Sequence, residues 1–439
     1  MSANQSIFPK TYQITPTGVE IGGCNLLELA NKYGTPLYVY DEQTITDICS
    51  DYKNSFAKYH DVQPLFASKA FMTKAMCAIL KKQNFGLDVV SGGEIYTAYK
   101  SGFDMSKVMF NGNNKTFDEL KMALEYGIGH ISVDNFYEIE LLGKLSQDLN
   151  QKQDILLRIT PGIECHTHEY IQTGHLDSKF GFDLTQIDEA IIAITSKYPL
   201  LQIKGLHAHL GSQIFETQVF ADAVEVIFQQ FKHIKDSFGI ELTEMNIGGG
   251  LGITYTTEDN PPSIKTIADI IIDAIDVCSQ KYGVDKPKIY LEPGRSIVGT
   301  AGVSLYKVGS IKQVPNGRKF VSLDGGMADN PRPSMYQAKY TAVVVNKINE
   351  TPVETVTLAG RFCESGDIII EDINLPKLES GDVICVFNTG AYGYSMSSNY
   401  NRVLKPAIVL VNSAQSDIII RRESYDDLLS CDEVPDRLL

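Results

Sequence analysis

The sequence predicts two domains, a (β/α)8 or TIM-like barrel and an all-β domain, and three observations support this prediction. From about residue 64 to residue 295, short strand-like apolar runs alternate with longer amphipathic stretches, as parallel βα units require. Eight such runs occur, and eight strands close a (β/α)8 barrel. After about residue 305, strand-like runs follow one another and helix-length segments largely disappear.

The eight barrel strands are predicted at residues 65–69, 87–90, 108–111, 131–134, 155–158, 206–209, 245–248 and 289–292. Because the chemistry of such barrels lies at the C-terminal ends of the strands, we expect the polar residues that close these runs to meet at one mouth. The residues selected by this argument are Lys69, Ser91, Asn111, Asp134, Arg158, His209, the glycines at 248–250, and Glu292.

We place the barrel at residues 44–304 and the β domain at residues 1–43 plus 305–439. The β-domain strands are predicted at residues 303–306, 320–323, 342–345, 368–370, 383–387 and 407–411. The first 40 or so residues read as strand and turn before the Tyr38-Val39-Tyr40 run. We therefore expect them to pack with the β domain.

Composition narrows the function classes. The chain has 439 residues, and 54 acidic against 39 basic side chains give a formal charge of −15, which disfavours nucleic acid and anionic membrane partners. The eight cysteines are scattered singly, and neither a targeting segment nor a run near the ~20 apolar residues of a membrane span is evident. These features predict a cytoplasmic protein.

The Gly248-Gly249-Gly250-Leu251-Gly252 run follows an apolar strand, so its amides could approach an anion such as a phosphate. A tight barrel turn is the alternative interpretation. At the end of the eighth strand, Glu292 and Arg295 could form a surface salt bridge with each other. Alternatively, a buried Glu292 could hold a pyridine nitrogen protonated while Arg295 binds an oxyanion.

Lys69 closes the first predicted strand. Most lysines are solvated, but an inward-pointing lysine in a dry mouth would act as an amine nucleophile toward an aldehyde.

Two pairs of histidines suggest a competing class, the metal-dependent barrel hydrolases. His207 and His209 share one face of a strand, and His166 and His168 form a second pair with His175 nearby. No cluster of acidic ligands accompanies the first pair in the sequence, which disfavours a metal site.

Three segments of the predicted β domain carry polar and glycine-rich motifs. They are residues 324–327 with Asn330, Arg332 and Tyr336, residues 363–367 (Cys-Glu-Ser-Gly-Asp), and residues 390–396 (Gly-Ala-Tyr-Gly-Tyr-Ser-Met). Taken alone, each segment is better explained as an ordinary β-turn than as a functional motif.

Taken together, these segments resemble the fold-type III pyridoxal-phosphate decarboxylases, and most closely those that act on meso-diaminopimelate. The resemblance runs along nearly the whole chain and implies an alanine racemase-like barrel with a second, all-β domain. It depends on residues 67–70, 178–181, 207–213, 246–250, 292–295, 324–327, 332–333, 363–367 and 390–396.

The resemblance also implies roles for individual residues. Lys69 would carry pyridoxal 5'-phosphate as a Schiff base, His209 would stack on its ring, and Glu292 would pair with the pyridine nitrogen. The other implied cofactor-binding residues are Asp88, Ser212, Gly248, Gly249, Gly250, Arg295 and Tyr392.

For the substrate, the resemblance implies that Arg295, Arg332 and Tyr336 bind the distal carboxylate and that Glu364 binds the distal ammonium. Tyr392 is also an implied substrate-binding residue. Cys363 would reprotonate Cα, so that the product is L-lysine, in the last step of lysine biosynthesis. Cys363 and Glu364 would come from the neighbouring subunit of an obligate homodimer. The alternatives are a decarboxylase of ornithine, lysine or arginine, and a non-catalytic regulator, although the latter would be expected to lack Lys69, Glu292 or Cys363.

Overall fold

The structure is a computed structural model that describes residues 3–163 and 178–439. The chain forms two compact units, each described by itself below. Unit 1 comprises residues 1–5, 46–254 and 260–297, and unit 2 comprises residues 6–45, 255–259 and 298–439.

The strands of the described residues are β1 (Gln13–Thr15), β2 (Gly18–Ile21), β3 (Cys24–Asn25), β4 (Leu37–Asp41), β5 (Val62–Ala67), β6 (Gly86–Val89), β7 (Val108–Phe110), β8 (His130–Val133), β9 (Gln153–Thr160), β10 (Phe182–Asp183), β11 (Leu201–His207), β12 (Glu244–Asn246), β13 (Lys288–Leu291), β14 (Gly302–Gln313), β15 (Lys319–Leu323), β16 (Ala342–Val344), β17 (Glu354–Ala359), β18 (Ile368–Leu375), β19 (Val383–Val386), β20 (Ala407–Asn412) and β21 (Gln415–Ile420).

The α-helices of the same residues are α1 (Leu26–Tyr33), α2 (Glu42–Ser55), α3 (Lys74–Lys82), α4 (Gly92–Lys100), α5 (Phe117–Glu125), α6 (Phe136–Asp148), α7 (Ile187–Lys197), α8 (Gln218–Phe238), α9 (Ile264–Tyr282), α10 (Arg295–Val298), α11 (Arg332–Tyr336) and α12 (Tyr425–Leu429). None of these helices is both long and apolar enough to cross a membrane.

Unit 1 contains a closed parallel barrel. Its strands pair in the order β9, β11, β12, β13, β5, β6, β7 and β8, and β8 pairs with β9 to complete the ring. These strands overlap all eight of the predicted runs, so the predicted (β/α)8 fold is confirmed. Leu65, Met109, Leu156 and Tyr290, from four different strands, form one buried cluster. Because neighbouring strands of the ring pair in parallel, their C-terminal ends share one face of the barrel.

The helices of unit 1 begin and end at residues suited to those positions. Thr73, Ser91 and Asn135 each accept a backbone N–H at the start of a helix, and Thr116 forms a capping box with Glu119. The long helices α8 and α9 end at Gly239 and Gly283, whose positive φ angles of 67° and 61° favour glycine.

Unit 2 is built mainly of β-strands, which confirms the predicted second β domain. Its large sheet has the order β18, β17, β15, β14, β4, β20 and β21, with β19 pairing to β14 and β16. Strand β4 comes from the N-terminal segment and lies between β14 and β20. Val39, Val303 and Val409, on these three strands, lie in one buried cluster.

Candidate active site

Lys69 lies in a 3-10 turn formed by Ser68–Ala70, directly after β5. Its side chain is exposed, whereas the sequence argument considered a lysine inside a dry mouth. The difference arises because Lys69 lies in the turn beyond the strand rather than on the strand itself. The Lys69 charge acts on Asp88, Glu94 and His209, so these groups surround its amine at the mouth.

Glu292 follows β13 and is only 6% exposed. Its Oε1 accepts hydrogen bonds from Asn111 Nδ2 at 2.9 Å and from Asn246 Nδ2 at 2.7 Å, and its Oε2 lies 3.5 Å from His207 Nε2. Burial alone would raise the pKa of Glu292, but the imidazole of His207, followed by His209 and the Asn246 amide, holds it well below its usual range. Glu292 is therefore an ionised buried carboxylate.

Glu292 forms no ion pair with any lysine or arginine in the described residues of unit 1. Arg295 donates instead from Nη2 to Ser212 Oγ at 2.9 Å, so the predicted alternative of a Glu292–Arg295 salt bridge is wrong. A buried carboxylate with neutral donors and no strong cation fits a protonated pyridine nitrogen, which would supply the missing positive charge.

Asp88, on β6, is 2% exposed and accepts a hydrogen bond from the same Asn111 amide that serves Glu292. Burial, and after it the charge of Glu292, raises the pKa of Asp88 well above its usual range, against the opposing effect of Lys69. The pKa values of two neighbouring carboxyl groups are thus shifted in opposite directions, that of Glu292 downward and that of Asp88 upward.

His209 lies beside the glycine run. Its Nδ1 accepts a hydrogen bond from the Gly249 amide at 3.2 Å, and burial, then Lys69, lowers its pKa well below the usual value. A Cβ on Gly248 would lie 2.6 Å from His209 Nδ1, so only glycine allows the backbone to approach the imidazole this closely. The ring is therefore neutral and fixed in orientation.

The glycine amides are only partly available for a phosphate. Gly248 N donates to Asn246 Oδ1 at 2.8 Å, and Gly249 N donates to His209. Among the three glycines, all of them in the described part of the chain, only the amide of Gly250 has no partner. The Gly250 amide and the Arg295–Ser212 pair are the groups of unit 1 best suited to bind an oxyanion.

Sequence reasoning missed three residues whose side chains help to hold this site in place. His207 was considered only as a metal ligand, and Ser132 and Asn246 were given no role. In the structure, Ser132 Oγ lies 2.8 Å from His207 Nδ1, and all three side chains are buried. Each of them lies at or near the C-terminal end of a barrel strand, which is the signal that could have identified them.

The remaining predicted site residues belong to unit 2. Arg332, at the start of α11, is 7% exposed, and its Nη1 donates to Tyr340 Oη at 2.6 Å and to Tyr255 Oη at 3.1 Å. Its guanidinium carbon lies 4.9 Å from the centre of the Tyr255 ring. No carboxylate among the described residues of unit 2 forms an ion pair with it. Burying a cation without an anion is costly, so this position is suited to an external carboxylate.

Cys363 and Glu364 lie in an exposed turn between β17 and β18. The Cys363 amide donates to Asn401 Oδ1 at 3.1 Å, and Glu364 accepts a hydrogen bond from Tyr400. Tyr336, the last residue of α11, and Tyr392 are half-buried. Tyr392 lies near enough to Arg332 to contribute to its raised pKa, after Tyr255 and Tyr340.

The structure describes only one of the two predicted histidine pairs, His207 and His209. His166, His168 and His175 lie outside the described residues. His207 and His209 are bound as above, and residues 3–163 and 178–439 contain no group of three or more His, Cys, Asp or Glu side chains arranged to hold a metal ion. The described geometry offers no support for the hydrolase alternative.

Comparison with known proteins gives one consistent result. Residues 42–299 match the model of the "pyridoxal-dependent decarboxylase, pyridoxal binding domain" family. The diaminopimelate decarboxylase of Bacillus subtilis is 48% identical over 94% of this chain and 95% of its own length, and that of Synechocystis is 47% identical over 100% and 95%. A crystal structure of the M. jannaschii diaminopimelate decarboxylase with L-lysine superposes with a TM-score of 0.92, at 36% identity and full coverage of both chains.

Proposed function

The chain belongs to the pyridoxal-dependent decarboxylases, and within them to the diaminopimelate decarboxylases; from this premise we propose that it converts meso-2,6-diaminopimelate into L-lysine and CO2. The observation that carries the proposal is the combination of an accessible Lys69 with a buried, ionised Glu292 at one barrel mouth.

The residues of unit 1 fit pyridoxal 5'-phosphate. Lys69 would hold it through its amine, Glu292 would keep a proton on the ring nitrogen, and the neutral His209 would pack on the ring. Arg295 with Ser212 and the Gly250 amide would bind the phosphate, and Asp88 shares the Asn111 amide with Glu292. When bound, this cofactor supplies an acceptor for the electron pair left on Cα as CO2 departs.

The residues of unit 2 would select the substrate and complete the reaction. Arg332 and Tyr336, together with Arg295, would bind the distal carboxylate, and Glu364 would bind the distal ammonium. Tyr392 would also contact the substrate. The Cys363 thiol would return a proton to Cα. A buried arginine without a carboxylate partner in its own unit supports an acid at the far end of the substrate, which ornithine and lysine lack.

We also propose a cytoplasmic homodimer in which Cys363 and Glu364 enter the site of the neighbouring subunit. The exposure of residues 363–366 supports this arrangement, because the Glu364 carboxylate and the Cys363 thiol are then accessible to another chain. The acidic composition, with a charge of −15, supports a small-molecule enzyme without nucleic acid or membrane partners.

The proposal is tested by incubating the purified protein, loaded with pyridoxal phosphate, with meso-diaminopimelate. CO2 and L-lysine should form in equal amounts, and the Lys69→Arg variant should lose both products while an exposed control variant, Lys82→Arg, keeps them. CO2 release that survives Lys69→Arg would contradict the proposed role of Lys69.

A further inference from the structure

His207 contacts the carboxylate that is proposed to hold the cofactor ring. It is 1% exposed at the end of β11, and its Nε2 lies 3.5 Å from Glu292 Oε2. The other carboxylate oxygen of Glu292 already accepts from Asn111 and Asn246. Glu292 is therefore surrounded by three side chains that offer N–H groups, and His207 is the only one of the three that titrates.

Ser132 determines how His207 is oriented. Its Oγ, on β8, lies 2.8 Å from His207 Nδ1, and Ser132 is itself 1% exposed. Since burial lowers the pKa of His207, the ring is neutral and carries one proton. A carboxylate faces Nε2 at 3.5 Å, without a direct hydrogen bond, and a hydroxyl faces Nδ1, so the arrangement that suits both neighbours has Ser132 donating to Nδ1 and the proton on Nε2.

This tautomer directs an N–H group toward only one of the two carboxyl groups of the mouth. Asp88 and Glu292 share the Asn111 amide, but Glu292 alone has His207 on its second oxygen. Placing an N–H donor on one carboxyl group favours its charged form and leaves the proton of the pair on the other. Among residues 3–163 and 178–439, the other charged or titratable groups that act on the pair or on His207 are Lys69 after β5, Glu94 on α4, Asp134 after β8, Arg158 on β9 and His209 after β11.

We propose that His207, locked by Ser132, is a positioning residue that keeps Glu292 ionised and Asp88 neutral, and thereby keeps the ring nitrogen of bound pyridoxal phosphate protonated. The inference rests on the proposed function and adds to it the residues that set the charge of the acid. It concerns the cofactor alone and is independent of which amino acid is decarboxylated.

The test measures the ring nitrogen directly. Each variant is loaded with pyridoxal phosphate isotopically labelled at that nitrogen, and its NMR chemical shift is followed from about pH 6 to about pH 9, the range in which enzymes tune such acids. The wild-type nitrogen should show the protonated shift throughout. His207→Leu removes the Nε2 donor, so its nitrogen should move toward the shift of neutral pyridine as the pH rises.

Two milder variants keep the test decisive if His207→Leu does not fold. His207→Gln offers an amide N–H to Glu292 and should keep the wild-type shift, whereas Ser132→Ala should move it in the same direction as His207→Leu but less far. An unchanged shift in both His207→Leu and Ser132→Ala, with normal uptake of pyridoxal phosphate, would overturn this inference and leave the proposed function standing. Wild-type protein that takes up no pyridoxal phosphate would overturn both this inference and the proposed function.

Discussion

Arg332 shows how single residues of unit 2 prepare a binding site. Tyr340 and Tyr255 accept both hydrogens of Nη1, and the Tyr255 ring packs on the guanidinium. The two hydrogens of Nη2 and that of Nε then remain for a carboxylate. The tyrosines therefore fix the orientation of the arginine without neutralising it.

We predict that Tyr340→Phe weakens substrate binding more than turnover. The ring and its packing remain, but Arg332 loses a hydrogen bond that joins a charged group, worth about 1.5 to 3 kcal/mol. The KM for meso-diaminopimelate should rise about tenfold or more, with kcat changed little. Tyr425→Phe, at an exposed position, is the matched control. An unchanged KM would show that Arg332 does not bind the distal carboxylate.

Asp329 gives unit 2 a pH-dependent stability. It is 5% exposed, its Oδ2 accepts from Tyr306 Oη at 2.6 Å, and burial raises its pKa to about 7 from the ordinary 3.8. The folded state binds the Asp329 proton more tightly than the unfolded chain does. The contribution of protonated Asp329 to the free energy of unfolding is therefore complete below about pH 4 and is lost as the pH rises through about 7.

The prediction is measured as the melting temperature of wild-type protein relative to Asp329→Asn, which cannot ionise. The wild-type value should fall relative to that of the variant as the pH rises from about 4 to about 7. A difference that is constant across this range would mean that Asp329 does not change its ionisation on folding.

The residues that the sequence could and could not predict differ in where their partners lie. Lys69 and Glu292 follow barrel strands and carry recognisable motifs, so they could be selected from the sequence. The role of His207 depends on its contacts with Ser132, which is 75 residues away in the sequence, and with Glu292. Only the closed barrel brings these three residues together. The short local pattern His207-Ala208-His209 therefore suggested a pair of metal ligands instead.

At the scale of elements, Asp367 joins two loops of unit 2 that carry predicted site residues. Its Oδ1 accepts from the Met327 amide at 2.7 Å and its Oδ2 from the Phe362 amide at 2.8 Å, while the side chain is buried. The first loop leads into Arg332 and the second into Cys363. Together with the Arg361 amide, which donates to the Gly325 carbonyl at 3.1 Å, this carboxylate ties the two loops to each other.

We predict that Asp367→Asn lowers both activity and stability. One of the two amides would face an N–H group instead of an acceptor, and a buried unsatisfied donor costs about 1 to 3 kcal/mol. The melting temperature and kcat should both fall, whereas the exposed control Glu371→Gln should leave both unchanged. Wild-type activity in Asp367→Asn would show that the two loops hold their positions without this link.

The strands themselves were predictable to different degrees. All eight barrel strands were found because their side chains are almost continuously buried, as in β6 and β7. Strands β17 and β21 were missed, since β21 has no buried residue and β17 has only three. A half-exposed strand lacks the continuous apolar run by which a buried strand is recognised in the sequence. Its extended conformation depends instead on the strands with which it pairs.

At the scale of the whole molecule, the proposed sharing of sites between subunits predicts complementation. Lys69→Ala and Cys363→Ala should each be inactive alone. After random mixing of subunits, half of the dimers would be mixed, each with one intact site, so activity should recover to about a quarter of the wild-type value. Activity that stays absent after verified subunit exchange would contradict a site built from Lys69 of one subunit and Cys363 of the other.

The central claim is that this barrel and its β unit form a decarboxylase selective for a substrate with a distal carboxylate. The most direct measurement is kcat/KM for CO2 release by the protein loaded with pyridoxal phosphate, compared among meso-diaminopimelate, lysine, ornithine and arginine. We predict a preference for meso-diaminopimelate of at least about a thousandfold, because the other substrates leave the buried Arg332 without its anion. An equal or higher kcat/KM for lysine, ornithine or arginine would contradict the account.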